Sequence, residues 1–149
     1  MSSSRTLVAA LFAVALALSA CGGSDASSSE AADTNTDEAP AGIRVVSPEQ
    51  AADTIAHPPD DLVILDVRTI EEFEEARLEG AVMLDFYRDD FAEALAEFDT
   101  DVPYVLYCRS GNRSSGARAI MADLGFTDVE DVDGGIVGWI DAGLPVISS

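Results

Sequence analysis

The chain has 149 residues, of which 28 are acidic and 8 basic, and it contains no lysine, giving a net charge of −20 at neutral pH. Without lysine there is neither a Walker phosphate loop nor a Schiff-base nucleophile. The acid excess argues against nucleic acid, whose binding needs cations to displace counterions, and against clinging to anionic headgroups.

Residues 1–20 read as an export signal. Arg5 precedes an unbroken apolar run, Leu7 to Leu18, which is too short for a stop-transfer helix and ends in small residues. The stretch Leu18-Ser19-Ala20-Cys21, followed by Gly22-Gly23, resembles the lipobox of bacterial lipoproteins. That resemblance implies a lipidated Cys21 as the first mature residue, held by two buried acyl chains; an ordinary signal peptide cut nearby is the alternative. The expected location is extracytoplasmic, with the membrane reached through the lipid anchor only.

Residues 21–42 form an acidic tether rich in Ser, Ala, Asp, Glu and Thr, with no aromatic or branched aliphatic residue. Such a segment buries too little apolar surface to offset the entropy of ordering, so a flexible linker is expected. Residues 43–149 suffice for one domain.

Along that domain strand and helix signals alternate. Ile43–Val46 is a strand, and Ser47-Pro48-Glu49-Gln50 supplies an N-cap, a proline at the first helical position and a capping-box Gln. Leu62–Leu65 reads as a strand covered on both faces. Thr69 with Glu72 forms a second capping box, opening a short helix through Phe73.

Ala81–Leu84 is a brief strand. Phe91, Ala94, Leu95 and Phe98 then follow helical spacing. Val102–Tyr107 reads as a central strand despite Pro103 near its start. Ala117, Ile120, Met121 and Leu124 mark a helix that Gly125 ends. Val129–Val132 is the last strand, and Val137–Ala142 a small helix closed by Gly143. This order predicts an α/β fold: a small, largely parallel sheet with helices on both faces and a working site at the carboxyl ends of its strands.

Cys108 is the first residue after a strand, at the head of Cys108-Arg109-Ser110-Gly111-Asn112-Arg113-Ser114. Gly111 permits positive φ, so the short loop can curl its amides toward one centre, and the following helix adds free N–H groups and a positive dipole end. Arg109 and Arg113 bring full charges, so an anion at the sulfur is favoured. A free thiol is only about 3% ionised at neutrality; lowering its pKa by about two units, worth roughly 2.7 kcal/mol, makes thiolate dominant. If Cys21 carries lipid, Cys108 has no disulfide partner.

Asp66-Val67-Arg68, Glu72-Phe73, Gly80-Ala81, the loop from Tyr107 to Ser114, and Gly134-Gly135 followed by Trp139 together resemble the rhodanese-like sulfurtransferases, over roughly Arg44 to Val146. The resemblance implies that Cys108 is the catalytic nucleophile. It would attack the outer sulfur of a small anionic donor such as thiosulfate and form a persulfide held by the loop amides of residues 109–114. A thiol or sulfur-accepting protein would then take the sulfur, with no cofactor and no metal. Of the two loop arginines, Arg113 is the better candidate for steering the donor, with Arg109 turned to solvent.

Other roles are weighed on the same residues. Asp66 and Arg68 read either as a turn cap and a partner for an acidic residue such as Glu72, or as the pocket rim. Trp139 reads as core packing and His57 as a surface loop residue. One histidine and one free thiol do not make a zinc site. A persulfide carrier without turnover, or a thiol redox-sensing module, would share the same loop. Cys-based phosphatases and arsenate reductases resemble this architecture but carry Cys-x5-Arg. Here Arg113 falls one residue early and Ser114 occupies that place, a ring better suited to sulfur.

Overall fold

The computed structural model describes Gly42–Ser149. The segments expected to be a signal peptide, a lipid-bearing Cys21 and nearly all of the tether lie outside the described residues. Within them, five strands and five helices alternate: β1 Ile43–Val46, α1 Pro48–Ala56, β2 Val63–Asp66, α2 Ile70–Glu75, β3 Val82–Met83, α3 Phe91–Leu95, β4 Tyr104–Tyr107, α4 Asn112–Leu124, β5 Val129–Val132 and α5 Gly135–Asp141.

The sheet runs β1-β5-β4-β2-β3 with every neighbouring pair parallel. The expected α/β class therefore holds, and the sheet is wholly parallel. The only antiparallel pairing among the described residues is an isolated bridge between Arg77 and Ile147. β4 and β5 are buried throughout, because sheet neighbours flank them and helices cover both faces. On one face Leu65, Leu106 and Val129 pack with Phe91 and Leu95 of α3 and Ala117 and Met121 of α4. On the other Ile64, Val105 and Val132 pack with Ala51 of α1 and Ile136 and Trp139 of α5.

Both capping boxes form: Ser47 and Thr69 each accept from the backbone of the residue three ahead, Gln50 and Glu72, whose side chains reach back to the cap amides. Boundaries shift for local reasons. β4 begins at Tyr104, because Pro103 has no N–H to give; its carbonyl instead accepts from Val63 at 3.0 Å. α2 continues to Glu75, past Phe73. α3 stops at Leu95, after which Glu97 and Phe98 turn more tightly onto Ala94 and Leu95, so Phe98 reaches the Tyr104 ring rather than extending the helix. Gly125 ends α4 in the left-handed conformation, as its position predicts.

Candidate functional site

β4 delivers Cys108 to the carboxyl edge of the sheet, between β2 and β5. The loop that follows is held from behind. The first amides of α5 donate to it, Ile136 to the Cys108 carbonyl at 2.8 Å and Val137 to the Arg109 carbonyl at 3.1 Å. With these carbonyls drawn outward toward α5, the next amides turn inward. The Gly111 amide donates to the Cys108 sulfur at 3.1 Å, and Gly111 itself takes φ +97°, a conformation glycine adopts freely.

Cys108 is 1% exposed and lines an open cleft of about 400 Å³. Burial alone would raise its pKa. The hydroxyl and amide of Ser114 and the amides of Ser110 and Gly111 outweigh that burial, and the thiol is held below its ordinary value. The cleft is lined by Thr69, Glu72, Tyr87, Cys108, Arg109, Ser110, Asn112 and Arg113. A larger groove of about 850 Å³, beside α1 and β1, contains none of the loop residues.

Both loop arginines line the cleft, Arg109 exposed to solvent as expected and Arg113 engaged by an acidic partner. Arg113 is bound through both terminal nitrogens to the Glu72 carboxylate, at 2.6 and 2.8 Å, and lies 5.5 Å from the Tyr87 ring centre. Arg109 lines the cleft and makes no ion pair or side-chain hydrogen bond among the described residues. Of the two guanidinium groups, that of Arg109 is the one without an ion pair among the described residues.

Asp66 and Arg68 do not form the rim. They are 0% and 4% exposed and bind each other, with Arg68 Nε at 2.9 Å from both carboxylate oxygens and Nη2 at 2.6 Å from Oδ2. Arg68 Nη2 also reaches the Ala76 carbonyl at 2.6 Å, and the guanidinium sits 5.4 Å from the Tyr107 ring centre. Glu72 is thus not the partner of Arg68. Because β2 ends at Asp66, its pairing with Arg68, two residues on, braces the β2–α2 turn, while the Asp66 carbonyl accepts from Leu84, just after β3, at 2.9 Å.

Ser114 is fully buried at the first turn of α4 and Asn112 lines the cleft, so the expected loop set does gather around the sulfur. Three lining residues, Thr69, Glu72 and Tyr87, were not predicted to line it. The first two read in sequence only as a capping box, a local signal silent about the partner across the cleft. Trp139 is core as expected, 4% exposed with Nε1 donating to the Pro145 carbonyl at 2.9 Å. His57 is exposed beside Asp53. Among the described residues no group of three or more His, Cys, Asp or Glu side chains could hold a metal ion.

A parallel five-stranded sheet that presents one hydrogen-bonded thiol on a short strand-to-helix loop defines the class: an α/β domain with a single thiol site at the carboxyl edge of its sheet. The chain belongs to the rhodanese-like domain family, whose pattern matches residues 47–142. It is similar to thiosulfate sulfurtransferase GlpE of Actinobacillus succinogenes, 36% identical over 101 residues covering 68% of this chain and 87% of that protein. It is likewise similar to a sulfurtransferase of Allochromatium vinosum, 32% identical over 89 residues, 60% of this chain and 81% of that one. Among solved structures, a rhodanese-related protein of Thermoplasma volcanium superposes with a TM-score of 0.62 at 26% identity, covering 71% of this chain and 99% of that one. A Rhodopseudomonas palustris protein named a possible tyrosine phosphatase superposes at 0.56, with 26% identity over 70% of this chain and 85% of that one.

Proposed function

We propose that the protein is a sulfurtransferase working through a Cys108 persulfide. The thiolate attacks the outer sulfur of a small anionic donor such as thiosulfate. The donor's S–S bond breaks, sulfite leaves with the bonding electron pair, and a Cys108 persulfide forms. An acceptor thiol, ionised, or a sulfur-accepting protein then attacks the terminal sulfur, and the Cys108 thiolate departs. The two steps balance without metal or cofactor.

One observation carries this reading: the Gly111 amide donates to the Cys108 sulfur at 3.1 Å within a loop whose hydrogen bonds lower the thiol's pKa. The relatives named sulfurtransferases support it. The uncommitted Arg109 in the cleft suits an anionic donor. A phosphatase reading is weaker, because the loop arginine nearest the required position, Arg113, is already committed to Glu72.

Mass spectrometry after thiosulfate treatment tests the proposal. Cys108 should gain the mass of one sulfur atom and lose it on adding cyanide, with thiocyanate released over many turnovers. Cys108→Ser should abolish both events. A single turnover would point to a carrier instead, and hydrolysis of a phenyl phosphate ester to a phosphatase.

The same reading places the domain outside the cytoplasmic membrane on a Cys21 lipid anchor, supported by the leader and the Leu18–Cys21 sequence. Radiolabelled fatty acid should enter the wild-type protein and not Cys21→Ser.

A further inference from the structure

The groove of about 850 Å³ beside α1 and β1 opens at the end of the sheet opposite Cys108. Leu62, Pro103 and Asp128 line it, and each precedes a strand of the parallel sheet, which places it at the amino edge. Its carboxylates come from two walls, Glu49 and Asp53 on α1, Asp128 and Glu130 at the start of β5. Arg44 is its only arginine, and the chain has no lysine. Glu49 accepts from the Ser47 hydroxyl at 2.8 Å, and His57 Nδ1 lies 3.2 Å from Asp53 Oδ1.

Glu130 is the telling residue. Side chains alternate along a strand, so it shares the face of Val132, which packs with Ala51 of α1. It is 6% exposed. Its Oε1 accepts from Arg44 Nη2 at 2.5 Å, while Arg44 Nη1 donates to Asp128 Oδ1 at 3.0 Å. Its Oε2 is buried and has no hydrogen-bond partner. A buried acceptor left unmatched is costly, and one on a groove wall calls for a donor from outside. The carboxyl end of α1, at His57, opens on the same groove and has no basic residue in its last turn to offset its partial negative charge.

We propose that this groove binds a linear polyamine, with one ammonium on Glu130 and the others on the outlying acids. The charge pattern selects that class. Among the described residues no three acidic, His or Cys side chains come close enough to hold a metal ion, so the carboxylates are too dispersed for one point charge. Ammonium groups separated by methylenes span them, and Pro59, Leu62 and Pro103 give the methylenes an apolar wall. An ammonium brings three donors and no acceptor, which suits an oxygen that lacks a donor. Because Oε2 is shut off from solvent, the ligand reaches it by moving the long Arg44 side chain, itself 26% exposed, toward Asp128. Binding here is independent of what Cys108 transfers.

Calorimetric titration of the full chain with spermidine at low salt tests the site. One saturable event is expected, and its absence would overturn the proposal. Glu130→Gln should weaken binding about tenfold or more, since a buried charged acceptor is lost. Glu93→Gln makes the same charge change on exposed α3, across the sheet, and should leave binding unaltered. Equal weakening by the two variants, or displacement of spermidine by magnesium at matching charge concentration, would reduce the effect to general attraction by an acidic surface and refute the site. So would a lysine-containing peptide that occupies the groove where spermidine does not. If Glu130→Gln does not fold, Asp53→Asn on the exposed wall decides. Binding should weaken about threefold, and an unchanged affinity counts against the proposal.

Discussion

A Cβ on Gly135 would lie 2.4 Å from the carbonyl oxygen of Cys108 and 2.7 Å from the carbonyl carbon of Arg109. The start of α5 is pressed against the back of the sulfur loop, and the hydrogen bonds from Ile136 and Val137 depend on that approach. Gly135→Ala should therefore displace the loop as well as strain a backbone at φ +57°. We expect a loss of about 2 kcal/mol or more in chemical denaturation and at least tenfold slower sulfur transfer. Gly125→Ala is the control: it is also left-handed, at φ +88°, but nothing lies within 4 Å of its Cβ position. It should cost only about 1 kcal/mol and spare the rate.

Arg109 and Arg113 should separate cleanly under mutation. Arg109→Ala removes an uncommitted charge from the cleft, so the KM for thiosulfate should rise about tenfold while thermal stability barely changes. Arg113→Ala leaves the Glu72 carboxylate without its main partner, and we expect lower stability together with lower kcat. Steady-state kinetics beside thermal melts distinguish the two patterns.

The Glu72–Arg113 pair predicts a pH dependence of stability. The hydrogen bonds from Arg113 are the largest cause holding Glu72 at about 2 rather than its ordinary 4.5, with burial opposing and the Thr69 amide assisting. A carboxyl depressed in the folded state favours folding above its unfolded pKa, and that contribution disappears as pH falls through the folded value. The stabilisation should thus be complete above about pH 4.5 and vanish toward pH 2. Glu72→Gln should cost about 2 kcal/mol at neutral pH and almost nothing near pH 2. Urea unfolding at a series of pH values measures the difference.

The Asp66–Arg68 pair should behave as structure. Removing one partner strands a buried charge, so Asp66→Ala should cost about 3–5 kcal/mol. Any molecules that still fold should retain a near-normal KM for thiosulfate, since neither side chain lines the cleft. A selective rise in KM without destabilisation would contradict this assignment.

The elements were legible in sequence because their signals are local. Capping boxes at Ser47 and Thr69, apolar runs in β2 and β4, and the stop at Gly125 each depend on neighbours a few residues away. The loop of residues 108–114 was legible for the same reason, since a strand end, a glycine and a helix start sit side by side in the chain.

Tertiary structure decided which charge meets which. Asp66 could cap a turn, line a pocket or pair with arginine; the sheet buries it and gives it Arg68. Arg113 lies 41 residues from Glu72, and only the folded chain brings them to 2.6 Å, while Arg109 in the same cleft keeps no ion pair among the described residues. Strand periodicity said nothing of why Glu130 and Asp131 are buried, because their partners Arg44 and Arg118 come from β1 and α4. Backbone conformation follows from short-range sterics and hydrogen bonding, which the order of residues encodes directly. Ion pairing depends on long-range proximity and burial, which exist only once the sheet has closed.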